Sequence, residues 1–232
     1  MSNFQFALII PAAGAGSRMG KNLPKPYLTV AGKTILEHTV ERFAGVPGLR
    51  QLVIVTSESH FSQTMKIIRG VEDLHEDVKV STVKGGAERQ DSIANALSEL
   101  IDEIELVAIH DAVRPFVDRK DIVNCLNKAG ETGAAILAIP VQDTVKKVDD
   151  KLVIQQTPDR RFLWQAQTPQ IFKKELITEA YKFAENSNFS GTDDASLVEY
   201  FGGRVSVVEG SRDNFKITYP LDLEVAELLL QK

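Results

Sequence analysis

The segment Pro11-Ala12-Ala13-Gly14-Ala15-Gly16-Ser17-Arg18-Met19-Gly20 sets two closely spaced glycines and an arginine directly after an apolar run, and Lys21 and Lys25 follow soon after. Gly14 and Gly16 permit close backbone approach, so successive N–H groups can face an anion. Small Ala12 and Ala13 leave room for a flat ring beside the backbone. Three phosphate-binding chemistries compete for such a loop. A dinucleotide fingerprint needs G-x-G-x-x-G and an acidic residue at the end of the next strand. Here the third glycine comes one position late, at Gly20, and Glu37 has the spacing but sits in a helical pattern. A Walker A loop needs G-x-x-x-x-G-K-[ST]. Ala15 replaces its first glycine and Asn22 its Mg²⁺-binding hydroxyl, which rules it out. The third chemistry uses Arg18, Lys21 and Lys25 as side-chain clamps on a polyphosphate, and it fits best. A glycine-rich turn whose bases simply face solvent is the plainer alternative.

A second set of polar residues follows the apolar run Leu106-Val107-Ala108-Ile109. Ligands in open α/β sheets bind beyond the carboxyl ends of the strands. Asp111, placed there, can accept hydrogen bonds from substrate hydroxyls or approach a metal, and Arg114 can pair with phosphate. A turn role is the alternative for Asp111.

The elements that must position these groups are read from hydrophobic periodicity. Phe6–Ile10, Leu52–Thr56, Val78–Val83, Leu106–Ile109, Ala134–Val141 and Val205–Val208 are short apolar runs that suit strands covered on both faces. Helical patterns lie between them. Thr34-Ile35-Leu36-Glu37 has capping-box form, with Ile35, Leu36, Val40 and Phe43 on one face. Phe61–Ile68, Arg89–Leu100, Asp118–Lys128, Lys174–Ala184, Asp194–Phe201 and Pro220–Leu230 read as further helices. The alternation predicts an α/β fold, a Rossmann-like three-layer domain with a mostly parallel sheet. It spans 1–232 as a single unit, since no composition shift marks a boundary. Two regions break the rhythm. The polar stretch 143–157 reads as a hairpin projecting from the sheet, either a surface loop or an arm that contacts a second subunit. In Trp164–Phe172, Pro169 stops any regular element.

Composition narrows the classes. The chain has 232 residues, and 27 Lys plus Arg against 32 Asp plus Glu give a net charge of −5, which argues against a general nucleic-acid partner. No apolar run reaches the roughly 18 residues needed to span a bilayer. The first residues lack the basic region of a signal peptide. Lone Cys125 cannot form an internal disulfide. A soluble, cytoplasmic protein with no membrane partner is the expectation.

PAAGAGSRMG, LPKPYL and GKTILEHTV together resemble nucleotidyltransferases that activate small phosphates with a nucleoside triphosphate. GGAERQDSI, HDAVRPF, PVQDTVK, LWQAQTPQIF, TDDASLVEYFG and VEGSRDNFKIT follow in order over nearly the whole chain. They resemble the 2-C-methyl-D-erythritol 4-phosphate cytidylyltransferases. The resemblance implies a GT-A-like nucleotidyltransferase fold. It implies a reaction in which CTP and methylerythritol phosphate give the cytidine diphosphate product and pyrophosphate, in the non-mevalonate route to isoprenoid precursors. It also implies Mg²⁺ or another divalent cation, whose ligands stay open, and a homodimer joined through the arm. A ribitol 5-phosphate cytidylyltransferase is the nearest rival; Ala12-Ala13-Gly14 and Trp164 favour methylerythritol phosphate.

Residue by residue, the resemblance makes Arg18 and Lys25 the transition-state cations. It places Pro11, Ala12, Ala13, Gly14, Gly16, Gly86 and Ser92 against the nucleotide. It assigns Asp111, Arg114, Thr144, Arg160, Thr192 and Lys216 to the substrate, with Thr144 and Arg160 reaching the partner subunit's site and Arg161 a rival to Arg160. Arg89 is as well suited to a structural ion pair as to phosphate. Pro26 stands where the family usually has Gln, and Ala87 where some members have a polar residue. A phosphate monoester has a second pKa near 6, so the nucleophilic oxygen is already ionised at neutral pH and no general base is required. His38, His60 and His75 are accordingly expected on helix surfaces or in loops, and Trp164 at the base of the arm.

Overall fold

A computed structural model describes residues 4–14 and 23–230 of the chain. In chain order the elements are β1 (Phe6–Pro11), β2 (Thr29–Val30), β3 (Lys33–Thr34), α1 (Ile35–Phe43), β4 (Leu49–Thr56), α2 (Phe61–Arg69), β5 (Lys79–Lys84), α3 (Arg89–Leu97), β6 (Leu106–Ile109), α4 (Arg119–Thr132) and β7 (Ala134–Pro140). Then come β8 (Lys147–Val148), β9 (Ile154–Gln156), β10 (Trp164–Lys173), α5 (Lys174–Asn186), α6 (Asp194–Tyr200), β11 (Ser206–Glu209) and α7 (Pro220–Leu230). Seven strands form one sheet in the order β11-β7-β10-β6-β1-β4-β5. Every neighbouring pair is parallel except those made by β10, which runs antiparallel to both β6 and β7.

Period-two alternation sends the apolar side chains of each central strand to both faces. Phe6, Leu8 and Ile10 pack with Leu36, Phe43, Ile68 and Leu126 from α1, α2 and α4. Ala7 and Ile9 pack on the opposite face with Ile93, Ile177 and Leu197 from α3, α5 and α6. Continuous apolar runs are what a strand covered on both sides requires, so the three-layer α/β expectation is met. A smaller cluster joins Ala226 of α7 to Ile217, Val113 and Val30. Among the described residues no helix is long and apolar enough to cross a membrane.

The structure departs from the sequence-based expectations in three places. Trp164–Lys173 is a full strand in the middle of the sheet, although Pro169 argued against any regular element there. The register shifts between Ala166 and Gln170, so the residue without an N–H falls where the ladder is interrupted, and pairing resumes beyond it. Thr29–Thr34 forms a two-residue hairpin closed by Ala31 and Gly32, both with positive φ. Alanine at the first turn position hid that hairpin signal. His38 is buried rather than on a helix surface, and its Nε2 bonds the Val30 carbonyl at 2.8 Å. His60 and His75 do lie in a short 3₁₀ turn and a loop.

The stretch 143–157 contains an antiparallel pair, β8 with β9. Asp149 Oδ1 accepts from the backbone N of Lys151 and of Val153, each at 3.0 Å, and so closes the turn. Leu152, Val153 and Ile154 are exposed on this arm, and Phe162 and Trp164 are exposed at its base.

Candidate active site

Three parallel strands end together and their following loops build one cavity. β1 delivers Pro11–Gly14, β5 delivers Gly86–Glu88, and β6 delivers Asp111–Val113. Lys25, Pro26, Arg89, Ser92 and Lys216 complete the wall of a cavity of about 370 Å³. Local geometry explains the small residues. A Cβ at Gly85 would stand 2.6 Å from Ala13 Cβ, and one at Gly86 would overlap Asp91. The glycines therefore let the turn into α3 close against the β1 loop. Ser92 Oγ accepts from Gly86 N at 3.0 Å and fixes that turn. Pro26 sits in the first turn of a 3₁₀ segment, Lys25–Tyr27, where no N–H donor is needed. Tyr27 anchors it, bonding Thr56 Oγ1 at 2.6 Å and Thr64 Oγ1 at 2.8 Å.

The electrostatics centre on Asp111. Its Oδ2 meets Lys216 Nζ at 3.1 Å and accepts from Arg114 Nε at 3.1 Å. Burial alone disfavours its charge, but Lys216, then Arg114 and Arg89, outweigh that and hold the carboxyl at about 2. Asp111 is thus ionised at neutral pH. Its neighbour His110 is fully buried, and burial pushes the ring down to about 4, so it is neutral there. The ring bonds the Arg114 carbonyl at 3.0 Å and Thr168 Oγ1 at 3.1 Å, and that same hydroxyl accepts from Asp111 N at 3.0 Å. His110 and Thr168 therefore aim the Asp111 backbone. Lys25 is buried at the cavity wall, and its Nζ donates to the Thr218 carbonyl at 2.8 Å.

Arg89 forms an ion pair with fully buried Asp194, with Nη1 at 3.1 Å and Nη2 at 2.6 Å from the two carboxylate oxygens. Burial opposes the arginine's charge, but Asp194 outweighs it and raises its pKa. Tyr181 Oη donates to the same carboxylate at 2.6 Å. The structural role weighed for Arg89 is thus present, although its side chain also borders the cavity.

A cationic cavity at the carboxyl edge of a mostly parallel sheet, floored by small residues, suits a nucleotide with a polyphosphate tail. The family model for 2-C-methyl-D-erythritol 4-phosphate cytidylyltransferase matches residues 6–232. The chain belongs to that family. It is 42% identical over 97% of its length to the 2-C-methyl-D-erythritol 4-phosphate cytidylyltransferase of Caldanaerobacter subterraneus subsp. tengcongensis, 98% of which is covered. It is 43% identical over 99% of its length to the enzyme of the same name from Acinetobacter baylyi, with 95% of that relative covered. Among solved structures, the 4-diphosphocytidyl-2C-methyl-D-erythritol synthase of Anaerococcus prevotii superposes with a TM-score of 0.87 at 31% identity, covering 99% of this chain and 97% of that one.

Of the residues that the cytidylyltransferase resemblance singled out, the structure brings Pro11, Ala12, Ala13, Gly14, Lys25, Gly86, Ser92, Asp111 and Lys216 to the cavity. Arg18 and Gly16, and with them Lys21, lie outside the described residues. Arg114 is committed to the fold, donating to Asp111 and, at 2.7 Å, to the Asn214 carbonyl; its side chain does not line the cavity. Thr192 is exposed just before the N-cap of α6 and lies off the cavity. Thr144 and Arg160 are exposed at the arm and also lie off the cavity. Arg160 Nη1 donates to the Gln142 carbonyl at 2.6 Å, whereas Arg161 is paired with Asp159. Sequence reasoning missed Gly85, Glu88 and Asn214. Asn214 is fully buried and bonds the Thr168 carbonyl and Gln167 Oε1, and its own carbonyl receives Arg114. Its place in VEGSRDNFKIT was the available signal, but only the fold shows what it touches.

Among the described residues no group of three or more His, Cys, Asp or Glu could hold a metal by itself. Asp111 fits a shared site instead. Both of its cations meet Oδ2, and among the described residues Oδ1 accepts no hydrogen bond. One carboxylate oxygen suits a Mg²⁺ held mostly by substrate phosphates and water.

Proposed function

We propose that this cavity joins CTP to 2-C-methyl-D-erythritol 4-phosphate and releases pyrophosphate. Family membership makes the chain a cytidylyltransferase of isoprenoid biosynthesis. The observation that carries the mechanism is the convergence of Lys25, Lys216 and ionised Asp111 on one cavity floored by Ala12–Gly14. The substrate's phosphate oxygen forms a bond to the α-phosphorus of CTP as the bond to the pyrophosphate oxygen breaks. Both reactants are anions, so the protein's task is positioning and charge neutralisation. The glycine loop holds the nucleotide. Arg18 and Lys25 stabilise charge on the reacting phosphoryl group, a planar fork beside a compact ammonium. Lys216 positions the attacking phosphate, and Asp111 accepts hydrogen bonds from substrate hydroxyls and would help hold the divalent cation. That cation, when bound, neutralises phosphate charge. Buried His110 has both ring nitrogens engaged, by the Arg114 carbonyl and Thr168 Oγ1, which suits a reaction that needs no general base.

The whole chain acts as one catalytic domain, in the cytoplasm, with small molecules rather than nucleic acid as partners. The arm pairs two subunits and carries Thr144 and Arg160 to the neighbour's substrate. Their position off the cavity of their own chain, and the exposed Leu152, Ile154 and Phe162, support this reading. Sedimentation showing a fully active monomer would remove it. Pyrophosphate release measured with each of four nucleoside triphosphates, against methylerythritol phosphate and ribitol 5-phosphate, tests the substrate assignment. Faster turnover of ribitol 5-phosphate would overturn it.

A further inference from the structure

The segment from Asn214 to Tyr219 gives Lys216 to the cavity wall and bonds a second cation there, Lys25. Lys216 Nζ reaches Asp111 Oδ2 at 3.1 Å. Two residues on, the Thr218 carbonyl accepts from Lys25 Nζ at 2.8 Å. Between them, buried Ile217 is pinned by its backbone N to the Val113 carbonyl at 2.9 Å. Just past the segment, one carboxylate oxygen, Asp222 Oδ2, accepts from Thr218 N and from Tyr219 N, each at 2.7 Å.

The carbonyl of Thr218 and the N–H of Tyr219 belong to the same peptide unit. A peptide is planar, so fixing its N–H fixes its C=O. Lys25 and Asp222 thus hold opposite ends of one rigid plane, the ammonium on the oxygen and the carboxylate on the nitrogen. Hydrogen bonds in such a chain polarise one another, and an ionised acceptor strengthens its own bond. Asp222 lies in the first turn of α7, whose Ala226 is packed with Ile217 and Val30. Glu227 Oε2 of the same helix accepts from Ala31 N at 3.0 Å. The carboxylate is therefore mounted on an anchored element.

We propose that Asp222 is a positioning residue for Lys25, acting through the Thr218–Tyr219 peptide. The proposal rests on the reading of Lys25 as a cation of the transferase site. A helix-capping role alone would also place a carboxylate here. The two differ in what a variant changes. Capping alone affects thermal stability; positioning affects turnover and the chemistry of Lys25.

Asp222→Ala and Asp222→Asn are compared with wild type, well below each protein's Tm. The readouts are kcat, KM for CTP, and the rate at which an acetylating N-hydroxysuccinimide ester labels Lys25, followed by peptide mass spectrometry. Asp222→Ala should lower kcat about tenfold, change KM for CTP less than threefold, and label Lys25 at least threefold faster. Asp222→Asn keeps an acceptor oxygen at the same position and should recover most of the loss. Unchanged kcat and labelling in folded Asp222→Ala, or equal impairment of the Ala and Asn variants, would overturn the proposal. If Asp222→Ala does not fold, Asp222→Glu, which displaces the acceptor by one methylene, is measured the same way. A wild-type protein without turnover on CTP and methylerythritol phosphate would refute the assigned function instead, and Lys25 labelling would still decide the role of Asp222.

Discussion

Replacing Asp111 by Asn removes the charge that two cations share. Lys216 Nζ and Arg114 Nε both stand 3.1 Å from its Oδ2. These partners hold the carboxyl at about 2, against an ordinary 3.8, despite burial that works the other way. A difference of a little under two pH units corresponds to about 2 kcal/mol of stability. Because the folded carboxyl titrates below the unfolded one, that contribution is fully present above about pH 4. It is lost as pH falls through about 2. Urea denaturation of wild type and Asp111→Asn at pH 7 should show the variant less stable by about 2 kcal/mol. At pH 3 the gap should narrow to roughly half, since the unfolded carboxyl is by then mostly protonated while the folded one is still mostly ionised. A variant as stable as wild type at pH 7, or a gap that does not change with pH, would refute the pairing that organises the site. Turnover should fall as well, because the same carboxylate faces the cavity.

Lys25→Ala and Arg18→Ala should each lower turnover at least about tenfold, the loss of roughly 1.4 kcal/mol of transition-state stabilisation, in a steady-state pyrophosphate assay. Gly85→Ala places a methyl 2.6 Å from Ala13 Cβ and 3.3 Å from Ser92 Oγ. It should raise KM for CTP and cost about 1–3 kcal/mol in denaturation, and the double variant with Ala13→Gly should recover part of that. Arg89→Met leaves fully buried Asp194 with Tyr181 in place of its cation. Because the Arg89 side chain is 36% exposed, the usual cost of breaking a buried pair is discounted to about 2 kcal/mol, checked by urea melts.

Much of the fold was legible because buried parallel strands demand apolar runs. Phe6–Ile10 and Leu106–Ile109 could hardly be anything else. Trp164–Lys173 was not legible, because Pro169 carries a strong local veto that a register shift in the surrounding strands absorbs. His38 was misread because nothing local shows that the Val30 carbonyl turns toward it. At the cavity, Lys25 and Asp111 were singled out by residue type and by their place after a strand, and Lys216 by its place in the motif VEGSRDNFKIT that carries the resemblance. Groups that act through the backbone were not. The Thr218 carbonyl that receives Lys25 and the Gly85 backbone that admits Ala13 exist only once distant segments meet. Arg89 shows the middle case, since its charge was visible but its partner Asp194 lies 105 positions away.

The net charge of −5 disfavours a broad anionic partner but not a local one, since Lys25, Arg89 and Lys216 converge on one cavity from three parts of the chain. Cytidylyl transfer by this cavity is tested most directly by pyrophosphate release from CTP and 2-C-methyl-D-erythritol 4-phosphate in the presence of Mg²⁺, compared with ATP, GTP and UTP. Turnover should be fastest with CTP and should fall at least about tenfold in Lys25→Ala. Equal rates with all four nucleotides, or a Lys25→Ala variant as fast as wild type, would contradict it.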